Sequence, residues 1–349
     1  MTKIIAIDLG KFKSVACTYQ TATGDHTFTT LPTQPQKFHD LFVQEQPDRV
    51  VIEVGSQSGW VCDLCETLGV KVQVVNPNHE AWRWKNVKRK TDKDDALKLA
   101  QLSSMNQLPL VVLPARRVRQ WRSLIAYRHT LVSRRTVIKN SIRAILDRQA
   151  IAMPSGQSGW TKKSVQALGR HAQPLAQTDG DALWRGQLYV ELQALEQIQQ
   201  LIDPVEQKLE VLAEEDARVS RLRTIPGVGP RLAEVVVAMI DDPKRFKTGK
   251  QVGAYAGLVP KQYESGTMSR QGKITGQGNK LLRVLLVEVA WLMRRYNAHL
   301  RGVFDRVCRD SKTRRKIAVV ATARKLLVIC WAMLRDGTDW REPSPVLCA

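Results

Sequence analysis

Two short apolar runs stand at the head of the chain, K-I-I-A-I-D at 3–8 and S-V-A-C-T-Y at 14–19, and the polar T-A-T-G-D parts the second from the Thr-rich H-T-F-T-T at 26–30. Runs of this length bounded by turn residues predict a meander of three strands. A helical stretch near 35–46 then leads to R-V-V-I-E-V at 49–54, a continuous apolar run of the kind a strand shows when both its faces are covered. A helix over 58–68 and a strand, K-V-Q-V-V at 71–75, follow.

Three antiparallel strands followed by strands alternating with helices are the layers of a ribonuclease-H-like α/β domain, assigned to residues 1–108. Beyond it the periodicity turns helical. Residues 116–148 predict one long helix whose packing side holds Trp121, Tyr127 and aliphatic residues. Residues 153–182, rich in Gly, Gln, Ser and Thr, read as an irregular linker. Leu188, Leu192, Leu195, Ile198 or Gln199, Ile202, Val205, Leu209 and Leu212 recur at steps of three and four, a coiled-coil seam that predicts helix pairing within the chain or between chains. Pro204 stands inside it as a potential kink. This helical middle is assigned to 109–217. The remainder, 218–349, reads as mainly helical, with 280–296 and 316–334 its longest elements.

Charge changes the picture. Lys plus Arg number 54 against 33 acidic residues, a formal net charge of +21, and such self-repulsion points to a polyanionic partner, nucleic acid before a membrane surface. No signal peptide and no apolar run long enough for a bilayer is evident, so a cytoplasmic location is expected. The six cysteines are scattered, which fits reduced thiols, and Cys62 and Cys65 form a lone C-x-x-C that suits a helix core better than zinc. The long helix carries Arg116, Arg117, Arg119, Arg122, Arg128, Arg134, Arg135, Lys139, Arg143 and Arg148 against Asp147 alone, a pattern that predicts a helix tracking phosphates. In T-I-P-G-V-G-P, Gly227 and Gly229 resemble the turn of a helix-hairpin-helix element whose backbone N–H groups approach a phosphate; a plain tight turn between helices reads equally well.

Four carboxylates suggest chemistry. Asp8 ends the first strand and Glu53 ends V-V-I-E, where a charged group is costly unless it coordinates something. In K-R-K-T-D-K-D-D-A, Thr91 caps a helix whose Asp92 and Asp95 share one face. Hard oxygen donors of this kind suit magnesium or manganese, as a pair of ions that clamps a phosphate. Lys88, Arg89 and Lys90 crowd the same segment, with Trp82 and Trp84 before it. The stretch 260–283 reads as a loop of hydroxyls, glycines and cations, Lys261, Arg270, Lys273 and Lys280, able to neutralise phosphates. Physical reasoning does not choose a nucleophile among Ser265, Thr267, Ser269 and Thr275.

Together, Asp8 in I-D-L-G, Glu53 in I-E-V-G-S, K-T-D-K-D-D-A, I-P-G-V-G-P and A-Y-A-G-L-V-P-K-Q-Y-E-S-G resemble the DEDD-type insertion-sequence transposases, the IS one-ten family, which includes pilin-gene invertases. The resemblance spans nearly the whole chain. It implies a RuvC-like N-terminal domain, a coiled-coil linker and a C-terminal transposase domain. It also implies an acidic quartet of Asp8, Glu53, Asp92 and Asp95 holding Mg2+ and a nucleophilic serine at Ser265. The implied activity is DNA recombination through a covalent phosphoserine, guided by a non-coding bridge RNA that pairs with donor and target DNA. The implied assembly is a homo-oligomer, a dimer building to a tetramer with a site shared between subunits. Two other readings remain: a RuvC-like junction nuclease in which metal-activated water attacks, and a non-catalytic nucleic-acid binder with a relic acidic site.

Overall fold

A strand covered on both faces needs apolar residues on both sides of its middle, and the first strand has them between its charged ends. In the computed structural model, which describes residues 2–76, 91–265 and 268–342, β1 (Lys3–Asp8) runs through the middle of a five-stranded sheet with Ile4, Ile5, Ala6 and Ile7 fully shielded from water. The chain divides into two compact units, Met1–Arg119 and Gln120–Ala349.

In the first unit β2 (Lys13–Gln20) and β3 (His26–Pro32) complete the antiparallel meander. After α1 (Pro35–Glu45), β4 (Arg49–Glu53) joins β1 in parallel, and α2 (Ser58–Thr67) carries the chain to β5 (Lys71–Val75), parallel again. The strand order is β3-β2-β1-β4-β5. Alternation along the strands builds two cores. Ile5, Ile7, Val50 and Ile52 pack against Phe38 and Phe42 of α1 and Val61 and Cys65 of α2. On the opposite face Ile4, Ala6, Val51 and Val75 pack against Ala96, Leu99 and Ala100 of α3 (Asp92–Ser104). Phe28, Cys17, Ala6, Val51 and Gln73 are successive register partners from β3 to β5. The Lys93 ammonium lies 5.6 Å over the Phe28 ring and Ser103 Oγ is 2.7 Å from Gln73 Oε1, so α3 lies across the strands along that row.

In the second unit α4 (Arg116–Arg148), whose first four residues belong to the first unit, is followed by α5 (Lys162–Gly169) and α6 (Leu183–Glu214). The linker expected at 153–182 is therefore partly ordered, as α5 and three single 3-10 turns. The heptad residues find their partner inside the chain. Leu131, Ile142 and Leu146 of α4 close a core with Leu188, Leu195 and Ile202 of α6. The pair is antiparallel: Arg128 meets Glu206 at 2.6 Å, Arg135 meets Gln199 at 2.7 Å and Ser141 meets Glu191 at 2.7 Å. α6 continues through Pro204.

The C-terminal elements are α7 (Ala217–Arg223), α8 (Pro230–Ile240), α9 (Gly249–Tyr255), a hairpin of β6 (Pro260–Ser265) and β7 (Met268–Ile274), α10 (Lys280–Tyr296), α11 (Ala298–Cys308) and α12 (Arg315–Asp336). Their core also takes in Trp121 and Ile125 of α4, so the expected boundary at residue 217 crosses continuous packing. One segment, Lys312–Asp336, is long and apolar enough to cross a bilayer, contrary to the sequence reading; more than half of its most apolar stretch is buried, with Ala323, Leu326, Leu327 and Cys330 in that core.

Candidate active site and nucleic-acid interface

Ile7 of β1 is paired with Ile52 of β4, so Asp8 and Glu53 stand side by side as the next residues of adjacent parallel strands, about 4.8 Å apart in backbone spacing. Asp8 follows Ile4 and Ala6 at even spacing and Glu53 follows Val51, which puts both carboxylates on the face that α3 covers. Val15 and Val75, both in that core, are their outer register partners. Two acids thus end an otherwise apolar row at the carboxyl edge of the sheet.

α3 brings the other two. Its sheet-facing residues are Ala96, Leu99, Ala100 and Ser103, and a turn of 100° per residue places Asp92 at one edge of that stripe and Asp95 on the same flank, with exposed Asp94 on the opposite side of the helix. Asp94 has its own task. Thr91 Oγ1 accepts from Asp94 N at 3.2 Å while the Asp94 carboxylate accepts from Thr91 N at 3.1 Å, a complete capping box. The chemistry of the donor set fits a hard divalent cation. Among the described residues, however, no three Asp, Glu, His or Cys side chains gather closely enough to hold one ion. The quartet is a strand pair and a helix pair, not a closed cage. Lys88, Arg89, Lys90, Trp82 and Trp84 lie outside the described residues.

The loop expected around Ser265 is a hairpin. Tyr263 pairs with Arg270, Glu264 with Ser269 and Ser265 with Met268, which places Ser265 at the exposed far end of β6. Both faces are solvated, so no alternation of apolar and polar residues announced these strands. Lys261, Arg270 and Lys273 project from the hairpin and Lys280 starts α10, all exposed. Two of the glycines serve the hairpin base. A Cβ on Gly257 would lie 1.9 Å from the Gln277 carbonyl oxygen, and one on Gly278 would lie 2.1 Å from that of Tyr255.

Residues 5–151 match the DEDD-type transposase family of IS110, and residues 219–304 match the family described as Transposase IS116/IS110/IS902. The chain is 30% identical to a probable family 20 transposase of Pseudomonas aeruginosa over 86% of its own length and 88% of that protein. It is 29% identical to the transposase of insertion sequence element IS1111A from Coxiella burnetii, covering 78% and 74% of the two chains. It is 28% identical to the pilin gene-inverting protein of Moraxella lacunata, covering 76% and 73%. The chain belongs to the IS110 family of DEDD-type transposases. It is a DNA transposase, and a DEDD domain implies dependence on a divalent metal.

The cations of the transposase divide into two classes. Arg119 Nη2 contacts both Asp63 oxygens at 2.6 Å, and Arg122 donates to the Ala238 and Met239 carbonyls at the end of α8 at 2.7 and 3.0 Å. Arg135 holds Gln199, while Lys139 and Arg143 cover the Trp160 ring at 4.8 and 5.3 Å. Burial first, then Arg135 and Arg143, lower the Lys139 pKa. The phosphate-tracking reading of Arg119, Arg122, Arg135 and Lys139 thus meets a competing internal use that composition could not reveal. Arg116, Arg117 and Arg134 are exposed. At the α7–α8 turn Gly227 has φ +89°, and a Cβ there would meet Met293 and Tyr296 side-chain atoms at 3.0 Å. Gly229 is the N-cap of α8, with open space around it. Sequence reasoning also missed Gln57, whose amide donates to the Lys11 carbonyl at 3.2 Å and ties the loop after β4 to the loop after β1.

Proposed function

We propose that this transposase cuts and rejoins DNA through a covalent phosphoserine on Ser265, with Asp8, Glu53, Asp92 and Asp95 holding Mg2+ or Mn2+ at the scissile phosphate. The observation that carries the reading is that Asp8 and Glu53 directly follow the paired Ile7 and Ile52 at the ends of adjacent parallel strands, in a chain of the DEDD family. A right-handed β4–α2–β5 crossover, the hand nearly all such units take, turns the Asp92 and Asp95 flank of α3 toward the same carboxyl edge. When bound, the cation supplies Lewis-acid stabilisation of the phosphate oxygens.

The chain's own groups do the rest. Ser265 Oγ forms the new P–O bond as the P–O bond to a sugar oxygen breaks, the serine proton passing to that oxygen so that it leaves as a hydroxyl, and a hydroxyl of a second strand later reverses the exchange, so the bond energy is kept. Lys261, Arg270 and Lys273 neutralise charge on the strand held along the hairpin. Guidance by a bridge RNA from the element, donor and target DNA as substrates, and a homotetramer in which one subunit's serine serves another's acids belong to the same proposal. A RuvC-like architecture for the first unit is part of it; the meander continued by parallel strands supports it.

Ser265→Ala is expected to abolish strand cleavage while nucleic-acid binding is retained. The check is a protein–DNA adduct trapped on a denaturing gel: wild type gives it and the variant does not. An undiminished adduct in the variant overturns the serine assignment, and free ends without any adduct in wild type favour water as the nucleophile.

A further inference from the structure

β1 hands the chain to β2 through Leu9, Gly10, Lys11 and Phe12, at the carboxyl edge that bears Asp8. Phe12 is 76% exposed, the most exposed large hydrophobic residue among those described. A ring left in water forgoes the gain of burial, and a slack loop would fold it inward. This loop is not slack. Thr33 N donates to the Phe12 carbonyl at 2.9 Å and Thr33 Oγ1 to the Gly10 carbonyl at 2.9 Å, while Thr33 Oγ1 is itself 2.7 Å from buried Ser14 Oγ. Gln57 bonds the Lys11 carbonyl from the loop that follows Glu53. At Gly10 a Cβ would stand 2.0 Å from the Lys13 carbonyl oxygen, so the tight turn admits no side chain. Lys11 and Lys13 flank the ring, both exposed, and the Lys11 ammonium lies 5.1 Å from its centroid.

An aromatic residue that docks protein usually sits within an apolar patch, whereas this one sits between two cations on a braced loop. That combination is the one used on nucleic acid: a flat face for a base and positive charge for the neighbouring phosphates. We propose that Phe12 is a base-stacking residue, its ring taking the face of a nucleobase in the DNA strand beside the scissile phosphate while Lys11 and Lys13 meet the flanking phosphates. The position beside the scissile bond rests on the acidic-edge reading above; the stacking is tested without cleavage.

The full-length protein, with divalent metal withheld, is titrated into a short single-stranded oligodeoxynucleotide carrying one 2-aminopurine among thymines. Wild type is expected to quench the probe on binding. Phe12→Ala should lose most of the quenching and bind on the order of tenfold more weakly, with its salt dependence unchanged, and Phe12→Trp should retain both. Because the ring touches little protein, the melting curve of Phe12→Ala should match wild type. Wild-type quenching and affinity in Phe12→Ala overturn the proposal. An effect of Phe12→Ala confined to the matching oligoribonucleotide overturns the assignment to DNA. Asp8→Asn separates the two readings: normal cleavage by that variant sinks the acidic edge and leaves the stacking result standing, whereas loss of cleavage beside an unaltered Phe12→Ala sinks only the stacking.

Discussion

Glu234 shows what a single residue can hide. It is a carboxylate in the middle of α8, 2% exposed, that accepts from Trp121 Nε1 at 3.0 Å and faces Arg231 at 3.7 Å. Burial raises its pKa, and the Trp121 bond and the Arg231 charge only partly oppose that. A raised carboxyl makes the folded state hold its proton where the unfolded chain has lost it. Its contribution to stability is therefore full below the ordinary carboxylate range and is lost as pH rises through the folded value. Glu234→Gln keeps an acceptor for the indole and should flatten that part of the pH profile with a change within about 1 kcal/mol, whereas Glu234→Ala strands the Trp121 N–H and should cost about 2–3 kcal/mol. Chemical denaturation at several pH values checks both, and a profile unchanged in Glu234→Gln would remove this group from the account. The sequence E-V-V-V-A-M-I gave no sign of it, because the partner lies far away on α4. Asp8 and Glu53, by contrast, were legible from sequence, since an acid ending an apolar strand is anomalous in itself.

Among elements, the β6–β7 hairpin was the least legible. Helices and buried strands declare themselves through the period of their apolar side, and a hairpin wet on both faces has none. What fixes it lies at its base, where Gly257 has φ +68° and Gly278 φ +89° with carbonyl oxygens close by. Gly278→Ala adds a steric clash to an unfavourable backbone and should destabilise the second unit by at least about 2 kcal/mol, whereas Gly276→Ala, at φ +65° in open space, should cost about 1 kcal/mol. Thermal melts of the two variants compare them; equal losses would mean that backbone conformation alone sets the base. The α4–α6 pair was the opposite case. Its seam was read from leucine spacing, but only the fold chose an antiparallel partner within the chain, and that choice explains why acids such as Glu206 stand opposite the arginines of α4.

At the scale of the whole molecule, the net charge of +21 is a statement about partners, and the structure divides it into cations used inside and cations turned outward. Each phosphate neutralised contributes about −0.9 to the log–log salt slope on duplex DNA and less on single strands. Lys261→Ala and Arg270→Ala should each reduce the slope by up to about that amount with little change in stability. Arg119→Ala should leave the slope nearly unchanged and cost about 1–2 kcal/mol, since it removes a contact to both oxygens of Asp63 and bonds to two carbonyls. Salt titrations of DNA binding beside denaturant melts decide; a slope change in Arg119→Ala equal to that of Arg270→Ala would show that the two classes are one.

Sequence alone determined the order of elements in the first unit, the polyanionic partner, the two acids at strand ends and, by resemblance, the family, since each is written in local periodicity, composition or an ordered set of short motifs. Tertiary structure decided which arginines are structural, that Asp94 caps a helix, that Ser265 ends an exposed strand and that Phe12 is held out in water. Those outcomes depend on backbone carbonyls, carboxylates and loops brought together from distant parts of the chain, and no local window of residues encodes which of them will meet.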